Sequence, residues 1–255
     1  MTTTTDVAVW PLAGLRVAQG GLELRYLSDD LLHRLAAVAA GGVHEPDAMP
    51  FSNPWSRGTP EEVAHRVLAY QWGLRAAVTP EKWAIELAVV LDGQVVGVQG
   101  LYTQDFAVTR EVTTGSWLGL PHQGRGTGTR MRALILHLAF EGFGARVART
   151  DAFADNAASN RVTRKLGYAP DGTESFARDG RAAVSNRYRL DREDWERRGG
   201  RLDRVELHGV ADARRFLAVD ALAADGAPTA DGAPTADGAP TADGVPSGDA
   251  ATPGC

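Results

Sequence analysis

The sequence predicts an α/β domain with a mixed, mostly antiparallel central sheet and flanking helices. Three observations carry this reading. Stretches with the two-residue alternation of strands are interleaved with stretches of helical apolar spacing. The dipeptides Asp92-Gly93 and Asp179-Gly180 each separate two strand-like runs, as tight hairpin turns do. A glycine-rich turn at 123–128 joins a strand-like run to an amphipathic helical run.

The elements follow in order. Leu22, Leu24 and Tyr26 alternate with polar residues and predict a first strand. Ser28 is placed to cap a helix with Leu31, Leu32, Leu35, Ala36 and Ala39 inward. Thr59, Pro60 and Glu62 form a capping-box start with proline at the first helical position, and Val63, Val67, Tyr70 and Leu74 then share a face. The runs 83–91 and 94–101 form the first hairpin, and 112–120 a further strand. Met131, Leu134, Ile135, Leu138 and Ala139 define the buried side of the next helix, after which 146–153 returns as a strand. Asp155 or Asn156 caps a short helix with Ala158, Val162 and Leu166 inward, closed by Gly167 in a left-handed conformation. Two last strands, 168–177 and 183–190, flank the second turn.

This organisation gives one domain over 20–195, an N-terminal extension at 1–19, a C-terminal annex at 196–223 and a tail at 224–255. The tail reads ADGAPT three times and then ADGVPS, with nothing large to bury, so it is expected to be disordered. It also carries Asp225, Asp231, Asp237, Asp243 and Asp249 and no Lys or Arg, which accounts for the whole net charge of -5. The body is neutral, so neither nucleic acid nor a membrane surface is an expected partner. No secretory signal or membrane span is readable, and the expected location is the cytoplasm. The single cysteine, Cys255, excludes internal disulfides and cysteine metal sites, and His33, His65, His137 and His208 lack metal-ligand spacing; no metal is expected.

The segment His122 to Gly128 is an anion site by its chemistry. Gly124, Gly126 and Gly128 permit close backbone approach and positive φ, the following helix presents its amide-rich N-terminus, and Arg125 and Arg130 can add charge. The Lys-Ser/Thr of a Walker loop is missing, and the turn does not open a repeated βαβ series as a dinucleotide fingerprint does.

The pattern Gln123-x-x-Gly126-x-Gly128 after Ser116-Trp117-Leu118-Gly119, with Asn156-x-x-Ser159-Asn160 and Lys165-Leu166-Gly167-Tyr168 downstream, resembles the GNAT superfamily of N-acyltransferases, in its RimJ/RimL-like branch. The likeness spans about 20–195. The stretch 42–51, with Pro54-Trp55, further resembles an actinobacterial subgroup that includes a mycobacterial succinyl-CoA-dependent transferase. The resemblance implies a sheet splayed in its middle, with acyl-CoA in the gap as co-substrate, acetyl-CoA or another such as succinyl-CoA. It implies that pantetheine runs beside Leu118, Gly119 and Leu120, and that the amides of Gln123, Gly124, Arg125, Gly126, Thr127, Gly128 and Thr129 hold the pyrophosphate. Asn156 matches a pantetheine-contacting position and Ser159 one near the thioester sulfur. The sequence departs from the branch at Thr113, where many relatives carry glutamate, and at Thr129-Arg130, where Thr-Glu is commoner.

The expected reaction is transfer of an acyl group, acetyl first, to a primary amine of a small molecule or protein. An amine with a pKa of about 8 to 10.4 is mostly protonated at neutral pH and must lose a proton before attack. Glu111, two residues before Thr113 and so on the same strand face, is the expected base, with Asp105 next. Ser159 could assist the leaving thiolate, its alternative being a hydroxyl bonded to its own helix. An N-H near Leu118 would meet the oxyanion. The loop from His44 to Trp55 is the expected acceptor side, with Phe51 and Trp55 as a wall. A succinyl donor would need a cation at the acyl end, and an acyl-CoA-binding sensor without turnover is open from the same residues.

Overall fold

The computed structural model describes residues 4–198 and 202–221. A helix, α1 (Thr4–Val9), precedes strands β1 (Arg16–Gln19) and β2 (Leu22–Tyr26). Helices α2 (Asp29–Ala40) and α3 (Pro60–Ala76) follow, then β3 (Lys82–Leu91) and β4 (Gln94–Gln104). A single turn, α4 (Phe106–Thr109), leads to β5 (Glu111–Leu118), α5 (Thr127–His137), β6 (Val147–Phe153) and α6 (Ala157–Lys165). The chain continues as β7 (Ala169–Arg178), β8 (Arg181–Asp191), α7 (Arg192–Arg198), β9 (Glu206–His208) and α8 (Val210–Phe216).

Local chemistry explains the boundaries. Ser28 Oγ caps α2 at Leu31 N, and at α3 Thr59 and Glu62 exchange both bonds of a capping box. Both hairpins turn at Asp-Gly pairs with positive φ at both residues, 48° and 83° at Asp92-Gly93 and 52° and 71° at Asp179-Gly180. Gly167 closes α6 at φ 88°. The inward face of α6 differs from the expectation: Asn160 and Thr163 are its buried residues, Val162 and Leu166 pack on the core, and Ala158 is exposed. Helix α6 lies on polar groups of β6 and β8, so its buried side is read in hydrogen bonds. Asn160 donates to Phe153 O (2.8 Å) and Asn156 O (2.7 Å) and accepts from Tyr188 (2.6 Å) and Asn186 (3.0 Å). On α3, Tyr70 stands partly exposed while Gln71 is buried.

The nine strands form one sheet in the order β7-β8-β6-β5-β4-β3-β2-β1-β9. Neighbours are antiparallel except β5 and β6. Strand β1 precedes residue 20 and β9 follows residue 195, so the sheet recruits both flanking segments. The annex docks through Leu202 N to His137 Nε2 (2.9 Å) and Arg214 to Gly142 O (2.7 Å). The tail lies outside the described residues. One face of the sheet carries α5 with Leu134, Phe140, Phe143 and Trp195 in its core; the other carries α2 and α3 over Ala88, Val90, Val95 and Val98.

The sheet opens at its centre. Strands β5 and β6 pair only at Glu111↔Val147, Val112↔Ala148 and Thr113↔Arg149, after which each is held from its outer side, β5 by β4 and β6 by β8. Threonine hydroxyls take over where the ladder stops: Thr150 Oγ1 donates to Thr114 O (3.1 Å) and Thr114 Oγ1 to Arg149 O (3.4 Å). The end of β5 is fixed against β4 at Gly97, where a Cβ would lie 2.2 Å from Trp117 O and 2.9 Å from Leu118 Cα. Gly97→Ala should therefore cost about 1–3 kcal/mol of stability by overpacking backbone that cannot yield. Urea unfolding with an unchanged midpoint would contradict this close approach.

Candidate active site

The turn after β5 is built as an anion cradle. Gly124 and Gly126 have φ of 72° and 82°, and a Cβ at either would meet nothing within 4 Å, so open space lies before the loop. Gly126 caps α5 without a side-chain bond. In the first turn of α5 the Thr129 and Arg130 amides bond to Gly126 O (3.1 and 3.2 Å), while those of Thr127 and Gly128 have no backbone partner among the described residues. The Gln123 side chain does not face this space. Its Nε2 donates to Val43 O (2.7 Å) and Leu118 O (2.8 Å), clamping the end of β5 to the segment after α2. Gly119 N donates to Val96 O (2.9 Å) and Leu120 N to Gly42 O (3.0 Å), so both amides are engaged in holding the loop. Thr127 is buried and Gly128 half-buried in the first turn of α5, and Arg125 is exposed at the tip. Arg130 turns to Gln19 of β1 (3.3 Å to its carbonyl) and away from the loop.

Across the opening, Asn156 caps α6 by accepting from Ser159 N (3.0 Å). Ser159 Oγ is buried and has no hydrogen-bond partner among the described residues, so the self-bonded alternative is not observed. An orphaned buried hydroxyl costs about 1–3 kcal/mol, which a ligand atom in the gap would recover. Arg132, buried on α5, spans the same region, donating to Thr163 Oγ1 (2.8 Å) and Ser116 Oγ (3.3 Å), with its Nε unpartnered. Asp151 lies on β6 beyond the last pair with β5; burial raises its carboxyl above the usual range, while Ser185 Oγ at 3.3 Å works against that. The cradle, the orphan hydroxyl and the parted strands suit an elongated, anionic, sulfur-terminated molecule such as an acyl-CoA.

Glu111 is on the face the two-residue period assigns, but at the closed end of β5. Its carboxylate accepts from Arg149 Nε (2.9 Å) and lies 3.6 Å from Arg189. Asp105, at φ 52°, precedes α4 at the far end of β4. The structure does not bring either to Ser159 by any contact.

On the α2/α3 face lies a cavity of about 630 Å³. Its walls include Trp55, Val67, Leu74, Ala84 and Trp117, and its floor holds Glu86, buried at 8% exposure. Gln71 and Tyr102 donate to Glu86, and burial raises its carboxyl well above the usual range, the donors opposing. Burial, and then the Glu86 charge, push the Tyr70 phenol upward. The wall expected from the loop is present: Phe51 stacks on Trp55 (4.9 Å between centroids) and Trp55 on Trp117 of β5 (5.5 Å). His44 is a loop histidine held by Glu45 O and Ser56 Oγ, both at 2.8 Å. Sequence reasoning missed Glu86, Tyr102 and Arg132. A charge inside the apolar run 83–91 and an Arg in the apolar core of α5 were the available signals.

A family model described as the acetyltransferase (GNAT) domain matches residues 22–169, more than half of the chain. The chain belongs to the GNAT acetyltransferase family. Family membership brings with it acyl transfer from coenzyme A. Solved GNAT structures share the fold at low identity. A GCN5-related N-acetyltransferase from Brucella melitensis superposes with a TM-score of 0.56 at 18% identity, over 71% of this chain and 80% of that one. An acetyltransferase (GNAT family) from Bacillus anthracis gives 0.55 at 14%, over 70% and 99%. The acetyltransferase from Salmonella typhimurium that modifies the N-terminal serine of 50S ribosomal subunit protein L7/L12 gives 0.52 at 18%, over 68% and 96%. Among the described residues of this GNAT chain, no helix is long and apolar enough to cross a membrane.

The Glu86 carboxyl supplies a pH test. Folding favours its protonated form, a contribution fully present below the ordinary glutamate value near 4.3 and lost as pH rises through the raised folded value. Glu86→Gln cannot ionise, so its melting temperature should gain on wild type as pH climbs from about 4 to 8. Parallel melting curves across that range would contradict the burial of this charge.

Proposed function

We propose that this protein transfers an acetyl group from acetyl-CoA to a primary amine by direct attack on the thioester, as a soluble cytoplasmic enzyme. The observation that carries the reading is the buried, unpartnered Ser159 Oγ on α6, taken with the parting of β5 from β6 and the open glycine turn before α5. Bound there, the co-substrate supplies an activated acyl carbon. The amides of residues 124–128 hold its pyrophosphate, Leu118 to Leu120 line its pantetheine, and Asn156 steadies Ser159 by capping α6. Ser159 donates a hydrogen bond to the departing sulfur. The amine nitrogen forms the new bond to carbon as the carbon–sulfur bond breaks, and the proton it loses leaves through a carboxylate on the acceptor face. Glu111 is the base expected from strand periodicity; its two guanidinium partners favour Asp151 or Glu86 in that role, since neither has an Arg or Lys ion-pair partner among the described residues.

One observation favours a second donor. Arg132 supplies a buried guanidinium with an unpartnered Nε between β5 and α6, the kind of cation a succinyl carboxylate would need, and the likeness of segment 42–51 to a succinyl-CoA-dependent subgroup points the same way. Rates with acetyl-CoA and succinyl-CoA decide between them. A preference for succinyl-CoA that is abolished in Arg132→Met selects the second donor.

Gly126→Asp places bulk and negative charge at the cradle and should abolish CoA binding in calorimetry, in a protein that still melts cooperatively. Ser159→Ala should lower kcat by roughly tenfold or more while leaving the affinity for CoA within about twofold, because the lost bond strengthens only as sulfur gains charge. Unchanged affinity in a folded Gly126→Asp protein would reject the site.

A further inference from the structure

The cavity under α3 has a chemistry that narrows the acceptor. Its walls are mostly aromatic and aliphatic: Trp55 and Trp117 at one end, Val67 and Leu74 from α3, Ala84 from β3. At about 630 Å³ it falls in the range of small-molecule sites. The polar groups at its floor converge on one carboxyl, Glu86, which receives Gln71 from α3, Tyr102 from β4 and Tyr70 from α3. All three are neutral donors. The cavity cations, Arg66 and Lys82, do not ion-pair Glu86 among the described residues; Arg66 is engaged by Trp55 O (3.0 Å) and by Glu62 (3.6 Å). A buried carboxylate with donors and no countercharge is costly unless a cation arrives.

The cavity reaches the strand that borders the reaction gap. Glu86 stands opposite Gly100 on β4, which stands opposite Gly115 on β5, in the stretch where β5 has left β6. Trp117, two residues further on β5, forms the cavity wall on that side. The segment that brings Asn53 and Trp55 to the cavity is also tied down. Arg57 pairs with both oxygens of Asp179 (2.7 and 2.8 Å), and Arg178 donates to Met49 O (3.0 Å), so the segment 49–57 is strapped to the β7–β8 hairpin.

We infer that the acceptor is a compact amine with an aromatic or aliphatic body, bound in this cavity with its cationic nitrogen against Glu86. This rests on the acyl-transfer reading above for what happens to the amine, but the binding stands on the cavity alone. It assigns Glu86 a specificity role and makes polyamines and peptide N-termini poor acceptors, since their additional polar groups would be buried without partners.

The test is calorimetry of the full chain, without acyl-CoA, against 2-phenylethylamine, its isosteric alcohol 2-phenylethanol, spermidine and a serine-initiated peptide. The amine is expected to bind at least about tenfold tighter than the alcohol and the two polar amines, and Glu86→Gln to remove most of that margin, in keeping with a charge-assisted bond of about 1.5–3 kcal/mol. The comparison of amine and alcohol uses wild-type protein and stays decisive if Glu86→Gln fails to fold. Ala69→Phe, at an exposed position lining the cavity, should weaken the aromatic amine by constriction. Equal binding of amine and alcohol, or tighter binding of spermidine or peptide, overturns the inference. Acetyl-CoA binding is measured separately: a protein that binds the amine but no acyl-CoA refutes the transferase reading and leaves the cavity assignment intact, whereas one that acetylates only the peptide refutes the cavity assignment and leaves the transferase.

Discussion

The structure depends on an interruption of backbone pairing. Two parallel strands at the centre of a nine-stranded sheet meet over three residue pairs and then part. Buried backbone amides and carbonyls must find partners, so such an opening persists only when other groups meet the need. Here Thr114 and Thr150 exchange side-chain bonds for ladder bonds at the fork, β4 and β8 hold the two strands from outside, and Asn160 fastens α6 to β6 and β8 on one side of the gap. The gap is thus a built feature of the fold.

The fork also separates two chemistries. On the α5 side the groups are phosphate-directed and sulfur-directed: a glycine turn at a helix N-terminus, an orphan serine, a buried arginine. On the α2/α3 side they are amine-directed: a carboxyl among neutral donors and aromatic walls. In the proposed reaction an acyl carbon delivered through the fork from one side meets a nucleophile held on the other. Trp117 belongs to the strand that borders both, and its contact with Trp55 links the acceptor wall to the end of β5.

Much of this was legible because short-range chemistry decided it. The Asp-Gly turns, the Thr59 capping box, Gly167 and the glycine turn each specify a backbone conformation within a few residues. What was not legible depends on register. Glu86 and Tyr102 look unrelated in sequence, and only the β3–β4 pairing, which sets Glu86 beside Gly100 and Tyr102 two residues on, brings them together. Ala158 was read inward by apolarity, whereas α6 is held by Asn160 and Thr163, and an apolar count cannot see a face buried through hydrogen bonds. Glu111 was placed on the right face, but pairing with Arg149 and Arg189 comes from β6 and β8, strands about 40 and 80 residues away along the chain. Strands β1 and β9 are short, β1 held between β2 and β9 and β9 paired with β1, which leaves little periodicity to detect.

The central claim, that the fork between β5 and β6 is the cofactor gap, is tested most directly by a crystal structure of the protein with coenzyme A. The account predicts pyrophosphate on the amides of residues 124–128, pantetheine between the parted strands, and the thiol within about 3.5 Å of Ser159 Oγ. Coenzyme A bound elsewhere, or β5 and β6 paired to their ends with Ser159 bonded to protein, would contradict it.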